Sequence, residues 1–195
     1  MYEPHLRDTL DLPMTYRRLL TVDFKKDRKV AVVIQGIFLA VALIAVAVAL
    51  VVELPLPGWS PWITVPVTLV ACLIYMSAHE LTHGITLRAL TGTKPSYAVR
   101  FPLLTTSSPL YLTRRSTIMT ALSPCIFWGV VFLAALFLVP EDFVLTIYIL
   151  LVLNFAGSAG DYVETVVAFR QPTEALLHDE GDRVHVFVPE PTQHR

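Results

Sequence analysis

The chain has 195 residues, of which 54% are hydrophobic and only 16% are charged, and its mean hydropathy is +0.60. This apolar excess is too large for an ordinary soluble domain of the same length. The formal net charge is -1, so the chain lacks the global basic field that nucleic-acid-binding domains carry. We therefore expect no nucleic-acid partner.

Four apolar runs are each long enough to cross a bilayer. They extend over about residues 30–52, 62–90, 117–139 and 143–169. These runs predict an all-α membrane protein with about four transmembrane helices. The predicted parts of the chain are a leader (residues 1–29), a four-span membrane domain (residues 30–170) and a tail (residues 171–195).

The lysines and arginines are sorted to one side of these spans. The two short linkers, residues 53–61 and 140–142, contain none. The positively charged residues lie in the leader, in the connection between the second and third spans, and in the tail: Arg7, Arg17, Arg18, Lys25, Lys26, Arg28, Lys29, Arg88, Lys94, Arg100, Arg114, Arg115, Arg170, Arg183 and Arg195. The positive-inside rule therefore predicts a multi-pass protein of the cell membrane, surrounded by lipid, with both termini and the middle connection in the cytoplasm.

The segments outside the spans are expected to be small. Residues 10–20 are predicted to form either a short interfacial helix or a solvated basic leader. The stretch SYAVRFPLLTTSSPLYL alternates in part and contains prolines, which indicates a short irregular β-like hairpin on the cytoplasmic side. In the tail, DEGD is typical of a turn and RVHVFV of a short strand, and the side chains of His178 and His185 are expected to be solvated.

The second span contains the stretch YMSAHELTHGIT. On a helix, His79 and His83 lie one turn apart on nearly the same face, so both imidazoles can bind one metal ion. Glu80 can then lie beside the metal, where it can accept a proton from metal-bound water. Ionisable residues are disfavoured inside a span, so this pattern indicates a functional site. The alternative interpretation is a hydrogen-bonded polar cluster that holds the helices together.

A catalytic zinc ion has three protein ligands, so a third ligand is expected at the same depth. The acidic residues well inside the other spans are Asp161 and Glu164. His79 precedes Arg88 by nine residues, and Asp161 precedes Arg170 by nine. At about 1.5 Å per residue, both side chains lie about 13 Å from the cytoplasmic ends of their helices. We favour Asp161 as the third ligand over Glu164, which we expect beside the site or near the interface.

Asn154 lies on the same helical stripe as Asp161, together with Ser158 and Thr165. The small residues of AGSAG around this stripe allow two membrane helices to approach closely. Two interpretations of Asn154 are open. It forms an interhelical hydrogen bond, or its amide holds the substrate backbone or the developing oxyanion, and we keep it as a candidate catalytic residue.

The motifs HELTHG, in one span, and NFAGSAGD, in a later span, resemble those of the putative zincin peptidases, which are small integral membrane proteins. The chain is more distantly similar to the site-2 proteases, which are intramembrane zinc metalloproteases. The resemblance spans roughly residues 71–170 and implies a Zn²⁺ site with His79, His83 and Asp161 as ligands and Glu80 as the base. Asn154 matches the asparagine of the second site-2 motif, but this chain lacks the proline that follows it there and has Tyr162 in place of a glycine.

The residues and the resemblance together predict a zinc metallopeptidase embedded in the membrane. It would hydrolyse peptide bonds with zinc-activated water at the cytoplasmic side of the bilayer, in a membrane-protein or peptide substrate. The resemblance further implies that residues 97–112 receive an extended substrate by strand addition. The alternative is a non-hydrolytic zinc-binding membrane protein, such as a sensor or scaffold. A transporter is disfavoured because the outer halves of the spans show no path of ionisable residues.

Overall fold

The computed structural model describes residues 7–100 and 103–190. Helices make up most of this part of the chain, and four helical stretches are long and apolar enough to cross a membrane, as predicted. The helices are α1 (Arg28–Val51), α2 (Pro61–Thr91), α3 (Arg114–Ala135), α4 (Glu141–Gly157) and α5 (Ala159–Phe169). The last two follow each other directly and together form the fourth stretch.

Helix α1 is apolar on every side, and none of its residues is buried against the rest of the chain. A helix that is hydrophobic all round needs an apolar environment, which for a peripheral helix is lipid. Asp27 begins the helix, because its carboxylate accepts hydrogen bonds from the backbone N–H groups of Lys29 and Val30. α1 therefore has the surface expected of a lipid-facing span.

Helix α2 is the longest helix and carries the HELTH motif in its second half. It begins with Pro61 in the first turn, where the missing N–H costs nothing, and it ends at Gly92, whose φ of 72° is the left-handed value typical of a helix C-terminus. The side chains of Tyr75 on α2, Phe132 on α3 and Leu150 on α4 form one buried cluster. This cluster packs the three helices together one turn away from His79.

The fourth predicted span is not one continuous helix. It breaks at Ser158, which ends α4 and precedes α5. Gly157 and Gly160 flank the break, and glycine is about 1 kcal/mol less favourable than alanine inside a helix. The break places Asp161 in the first turn of α5, where the partial positive charge of a helix N-terminus favours a carboxylate.

Two small antiparallel sheets accompany the helices, so the all-α prediction is only partly correct. The hairpin predicted between the second and third spans is present as β2 (Ser96–Arg100) and β3 (Leu103–Ser107). A second sheet has four strands in the order β1-β6-β5-β4. These strands are β1 (Tyr16–Asp23), β4 (Leu112–Thr113), β5 (Leu176–Asp179) and β6 (Arg183–Pro189).

The interfacial helix, one of the two possibilities for residues 10–20, is wrong, because residues 16–23 form strand β1. Arg17, Arg18 and Leu19 of this strand are exposed, which agrees with the solvated alternative. β1 pairs with β6 over most of its length, from the pair Tyr16 and Pro189 to the pair Asp23 and Arg183. The short strand predicted in the tail is confirmed as β6, and the DEGD turn joins it to β5. The prediction that His185 is solvated is also wrong, since it is only 9% exposed within this sheet.

The four-stranded sheet packs against the end of the helical bundle. Its buried core contains Leu177 of β5 with Val184 and Val186 of β6, and these residues pack against Ala168 near the end of α5. The sheet combines strands from the leader, the middle connection and the tail. These three segments therefore lie at the same end of the helices.

Candidate metal centre

The structure brings His79 and His83 of α2 together with Asp161 of α5. One donor atom from each residue lies within 4.8 Å of the donor atoms of the other two. The Nε2 atom of His79 lies 3.3 Å from one Asp161 oxygen, and the Nε2 atom of His83 lies 3.4 Å from the other. These are the three residues that the sequence predicts as metal ligands. All three side chains are partly buried.

A chain of hydrogen bonds fixes which nitrogen of His79 carries its proton. The amide nitrogen of Asn154 donates to the backbone carbonyl of Cys125 over 2.9 Å, so its oxygen is the end directed at Tyr75. The Tyr75 hydroxyl donates to that oxygen over 2.7 Å. Its single proton is then used, so it must accept from Nδ1 of His79, 3.0 Å away. The Nε2 atom, which faces Asp161, is left free to bind a metal.

A single hydrogen bond fixes the proton of His83 on Nδ1 as well. Its Nδ1 lies 2.9 Å from the backbone carbonyl oxygen of Thr120 on α3. A carbonyl can only accept, so Nδ1 carries the proton and Nε2 faces Asp161. Metal-binding histidines usually donate their second ring N–H to a carbonyl or carboxylate in this way.

The geometry of these three side chains fits a zinc ion. Two nitrogen lone pairs directed at a carboxylate would repel it, so a proton or a cation has to lie between them. Zinc binds histidine nitrogen at about 2.0–2.1 Å in tetrahedral geometry, which places neighbouring ligand atoms about 3.3–3.4 Å apart. The two distances, 3.3 Å and 3.4 Å, run to different oxygens of the Asp161 carboxylate and leave the three side chains close enough to bind one ion between them. Two histidines, one carboxylate and an open side are the ligand pattern of catalytic zinc.

Glu80 lies beside this group and is held by the β2–β3 hairpin. Its Oε2 accepts a hydrogen bond of 3.0 Å from the backbone N–H of Thr106 in β3. The Thr106 hydroxyl donates over 2.8 Å to the backbone carbonyl of Glu80. The hairpin therefore holds Glu80 at both its backbone and its carboxylate.

Gly84, the residue after the second histidine, makes the contact between helix and hairpin possible. A Cβ at this position would overlap the Tyr97 hydroxyl of β2 and would lie 3.0 Å from Cγ of Pro95. Only glycine leaves room for the Tyr97 side chain to lie this close to α2. The glycine of HELTHG thus has a packing role where α2 meets Tyr97 of β2.

Two cavities adjoin the metal centre, and both are lined by Glu80 and Asp161. The first, which we call the sheet-side cavity, has a volume of about 230 Å³ and is also lined by His83, Thr106, Thr120, Glu164 and Asp179. The second, which we call the inner cavity, also measures about 230 Å³ and is lined by Tyr75, Met76, His79, Leu153 and Gly157. The metal centre is therefore accessible from two directions.

Glu164 is not part of the converging group. It lies in the wall of the sheet-side cavity together with Asp179, which belongs to β5. Burial raises the pKa of the Asp179 carboxyl to about 6, against the hydrogen bond from the Gly181 N–H, which lowers it. The cavity thus contains two carboxylates beyond those of Asp161 and Glu80.

Asn154 is fully buried, with an exposed fraction of 0%. Both ends of its amide are engaged, with Tyr75 on α2 and with Cys125 on α3. These are the contacts of an interhelical hydrogen bond, which is one of the two interpretations from the sequence. Its participation in catalysis stays a prediction, as do the roles of Glu80 and of the three ligand candidates.

Sequence reasoning missed the residues that surround and orient the candidate site. Tyr75 lies four residues before His79, on the same face of α2, and that spacing was a usable signal. Thr120 acts through its backbone carbonyl and Thr106 chiefly through its backbone N–H. Nearly every residue has these backbone groups, so the sequence of side chains does not indicate which of them contribute to the site. Asp179 lies in the tail, far along the chain from the HELTH motif.

Comparison with known families identifies one match. The profile of the family described as putative zincin peptidase matches residues 70–176, which is more than half of the chain. The matched region contains all three ligand candidates and Glu80. Neither the curated proteins nor the solved structures contain a significant match to this chain.

Proposed function

Because the chain belongs to the putative zincin peptidase family, we propose that it is a membrane-embedded zinc metallopeptidase that hydrolyses peptide bonds at the cytoplasmic side of the bilayer. The observation that carries this proposal is the convergence of His79, His83 and Asp161 from two helices, with Glu80 beside them. The resemblance to the site-2 proteases is an additional expectation, which the family match does not include.

His79, His83 and Asp161 would hold the zinc ion. When bound, zinc supplies a Lewis acid that lowers the pKa of water and polarises the peptide carbonyl. Glu80 takes a proton from the attacking water and passes it to the nitrogen of the leaving amine, so that one water is consumed for each bond cleaved. The Thr106 N–H holds the Glu80 carboxylate in place during these transfers.

The supporting residues fix the tautomer of both histidines. Tyr75 and Asn154 hold the proton of His79 on Nδ1, and the Thr120 carbonyl does the same for His83. The lone pair of each neutral imidazole therefore lies on Nε2, which already faces the site of the metal. Such pre-organisation avoids a reorganisation cost during the reaction.

The charge pattern and the sheet support the proposed orientation. The four-stranded sheet joins the leader, the middle connection and the tail, so these basic segments belong on one side of a membrane. The positive-inside rule assigns that side to the cytoplasm. Four helices of spanning length and the unburied surface of α1 support insertion into the bilayer.

The substrate is proposed to be a membrane protein or a peptide that reaches the site in an extended form. The Thr106 N–H points at Glu80 rather than at its partner Tyr97 in β2, so this edge of β3 faces the site. An extended substrate could pair with this edge, which would align its backbone next to Glu80. A helical substrate must first unwind, since helical amides are shielded by their own hydrogen bonds.

The test compares the wild-type protein with Glu80→Gln, purified in detergent, for zinc content and for cleavage of membrane peptides. We expect about one zinc ion per chain in both proteins and cleavage only by the wild type. Equal cleavage by Glu80→Gln would contradict the assigned base. The sensor or scaffold alternative would be favoured by two results together. The wild type would contain a full complement of zinc but cleave no peptide, and cells that carry Glu80→Gln would accumulate no membrane peptides.

A further inference from the structure

A groove with a volume of about 340 Å³ lies between α1 and α5, and we call it the α1–α5 groove. Its α1 wall is formed by Lys29, Val30, Val33 and Ile37. Its α5 wall is formed by Tyr162, Val163, Val166 and Val167, together with Arg170 directly after the helix. The groove therefore combines apolar walls with two cations.

Both cations lie at one end of the groove. Lys29 is in the first turn of α1 and Arg170 directly follows α5, which is the end of the helices where the four-stranded sheet packs. Ile37 and Tyr162 lie eight residues further along their helices, which corresponds to about 12 Å. The groove thus runs along the two helices, with positive charge at the sheet end and apolar or aromatic walls further in.

The two helices do not fill the space between them. Val33 of α1 is 51% exposed and Val166 of α5 is 46% exposed, although both line the groove. No residue of α1 is buried against the rest of the chain. Aliphatic walls of this kind are stabilised by an apolar occupant, since each exposed valine gains free energy when it is covered.

The cations of the groove have no partner in the described part of the chain. Neither the Lys29 nor the Arg170 side chain forms an ion pair, a hydrogen bond or a ring contact there, whereas Arg183 at the same end pairs with Asp23 over 2.8 Å. No aspartate or glutamate is among the described residues that line the groove. An anion between the two cations would be attracted by both of them.

The position of the charge distinguishes between possible occupants. A transmembrane segment of another protein, or a second copy of this chain, has lysine and arginine of its own at the cytoplasmic boundary, which the groove would repel. A phospholipid of the cytoplasmic leaflet with an anionic head group has negative charge at that boundary and hydrocarbon chains further in. Basic pockets between transmembrane helices on this side of a membrane bind such head groups.

We propose that the α1–α5 groove binds one anionic phospholipid of the cytoplasmic leaflet, with its phosphate at Lys29 and Arg170 and an acyl chain along the valines. This inference rests on the proposed membrane embedding and not on peptide hydrolysis. On α5, Val163 and Val166 lie on the helix face opposite Asp161. The lipid therefore covers the side of α5 that faces away from the metal centre.

The first test measures which lipid binds. The wild-type protein is purified in detergent, freed of endogenous lipid and mixed with phosphatidylglycerol or with phosphatidylcholine of the same acyl chains. Native mass spectrometry then counts the bound lipid, for the wild type and for the double variant Lys29→Gln with Arg170→Gln. The matched control is Arg17→Gln with Lys26→Gln, which removes two exposed positive charges that do not line the groove.

We expect the wild type to bind phosphatidylglycerol about tenfold to thirtyfold more tightly than phosphatidylcholine, as two cations near a membrane surface suggest. The groove variant should lose this preference and the matched control should keep it. Equal affinity of the wild type for both lipids, a preference that survives in the groove variant, or an equal loss in the control would overturn the site. If the groove variant aggregates, Arg170→Gln alone decides, with an expected loss of about fivefold.

The second test locates the lipid. A phosphatidylglycerol with a photoreactive group in its acyl chain should label residues 30–37 and 162–170 more strongly than the other helical segments. Val166→Trp places a larger side chain in the groove and should reduce this labelling severalfold. Val130→Trp, at an exposed valine of α3 outside the groove, should not. Labelling spread evenly over the four helical stretches would show only the surrounding bilayer lipid and would overturn the site.

The membrane embedding is tested separately by an alkaline wash of membranes that contain the protein. Release of the protein without detergent would contradict the embedding, and the lipid site with it. A protein that stays in the membrane but shows no preference for phosphatidylglycerol contradicts the lipid site alone. Neither result depends on peptide cleavage, so the proposed peptidase activity is judged independently.

Discussion

The carboxylate of Glu80 accepts a hydrogen bond of 3.0 Å from the backbone N–H of Thr106. The proposed base lies on a helix, whereas the group that holds it lies on the β2–β3 hairpin. Because this N–H is directed away from the hairpin's own ladder, it can be removed without breaking a β2–β3 hydrogen bond. The contact can therefore be tested separately from the hairpin.

The first prediction concerns this contact. Thr106→Pro removes the N–H, leaves Glu80 free to rotate and should lower kcat/KM by about tenfold to a hundredfold, as is typical of residues that orient a reactive group. Zinc content should not change. Thr106→Val is the matched control, because it keeps the N–H and loses only the hydroxyl. A Thr106→Pro protein as active as Thr106→Val would show that this hydrogen bond does not position Glu80.

The second prediction concerns the orientation of His79. Tyr75→Phe removes the hydroxyl that accepts the proton of Nδ1, so His79 loses both its fixed ring orientation and its fixed proton position. The affinity for zinc, measured by competition with a chelator, should fall by about tenfold to a hundredfold. Tyr148→Phe loses an equivalent hydrogen bond, to the Ala45 carbonyl of α1, and should bind zinc like the wild type. Equal zinc affinity in the two variants would contradict the tautomer argument.

The third prediction concerns the glycine of HELTHG. Gly84→Ala places a methyl group where the Tyr97 hydroxyl lies, so the Tyr97 side chain must turn away from α2 or the hairpin must shift. We expect loss of peptide cleavage with zinc retained, since neither histidine is displaced. Tyr97→Ala in the Gly84→Ala background should restore part of the activity by making room for the methyl group. Failure of that rescue, with the double variant folded and zinc-loaded, would indicate that the glycine has another role.

The fourth prediction concerns pH and Asp179. Burial raises its pKa from 3.8 to about 6, so the folded protein favours the protonated form. The stability that this protonation contributes is fully present below the unfolded value and is lost as the pH rises through about 6. Asp179→Asn removes the cost of the buried charge, so its unfolding temperature at pH 7.5 should exceed that of the wild type. A shift from 3.8 to about 6 corresponds to a gain of at most about 3 kcal/mol.

The difference between Asp179→Asn and the wild type should shrink as the pH falls through about 6 and disappear below about pH 3, because the aspartate is then protonated in both the folded and the unfolded chain. Glu190→Gln, an exposed change directly after β6, should show no such pH-dependent difference. A stabilisation by Asp179→Asn that is equal at pH 4 and pH 7.5 would contradict the assigned cause.

Much of the helical framework and of the candidate site could be predicted because its signals are local or periodic. The pair His79 and His83 is encoded within one turn of α2. Asp161 could be placed at the same depth by counting residues to the arginine at the end of each span, and the structure brings it within reach of both histidines. Long apolar runs likewise predict helices of spanning length, which the structure contains.

The parts that sequence reasoning missed depend on contacts between distant segments. β1 is a strand because it pairs with β6, more than 150 residues away along the chain, and no local pattern in the leader encodes that partner. The apolar run of the fourth span predicts one continuous helix, so the sequence did not indicate the break at Ser158. Thr106 and Thr120 act largely through backbone atoms, whose positions follow from the fold rather than from residue type.

X-ray absorption at the zinc edge of the purified, zinc-loaded protein tests most directly whether two histidines and an aspartate share one ion. The spectrum of the wild type should show two imidazole ligands and oxygen ligands at about 2.0–2.2 Å from the metal. Asp161→Ala should lose most of its zinc, whereas Glu164→Gln should retain the wild-type spectrum. A spectrum without imidazole scattering, or an unchanged spectrum and full zinc content in Asp161→Ala, would contradict the metal centre and the peptidase function built on it.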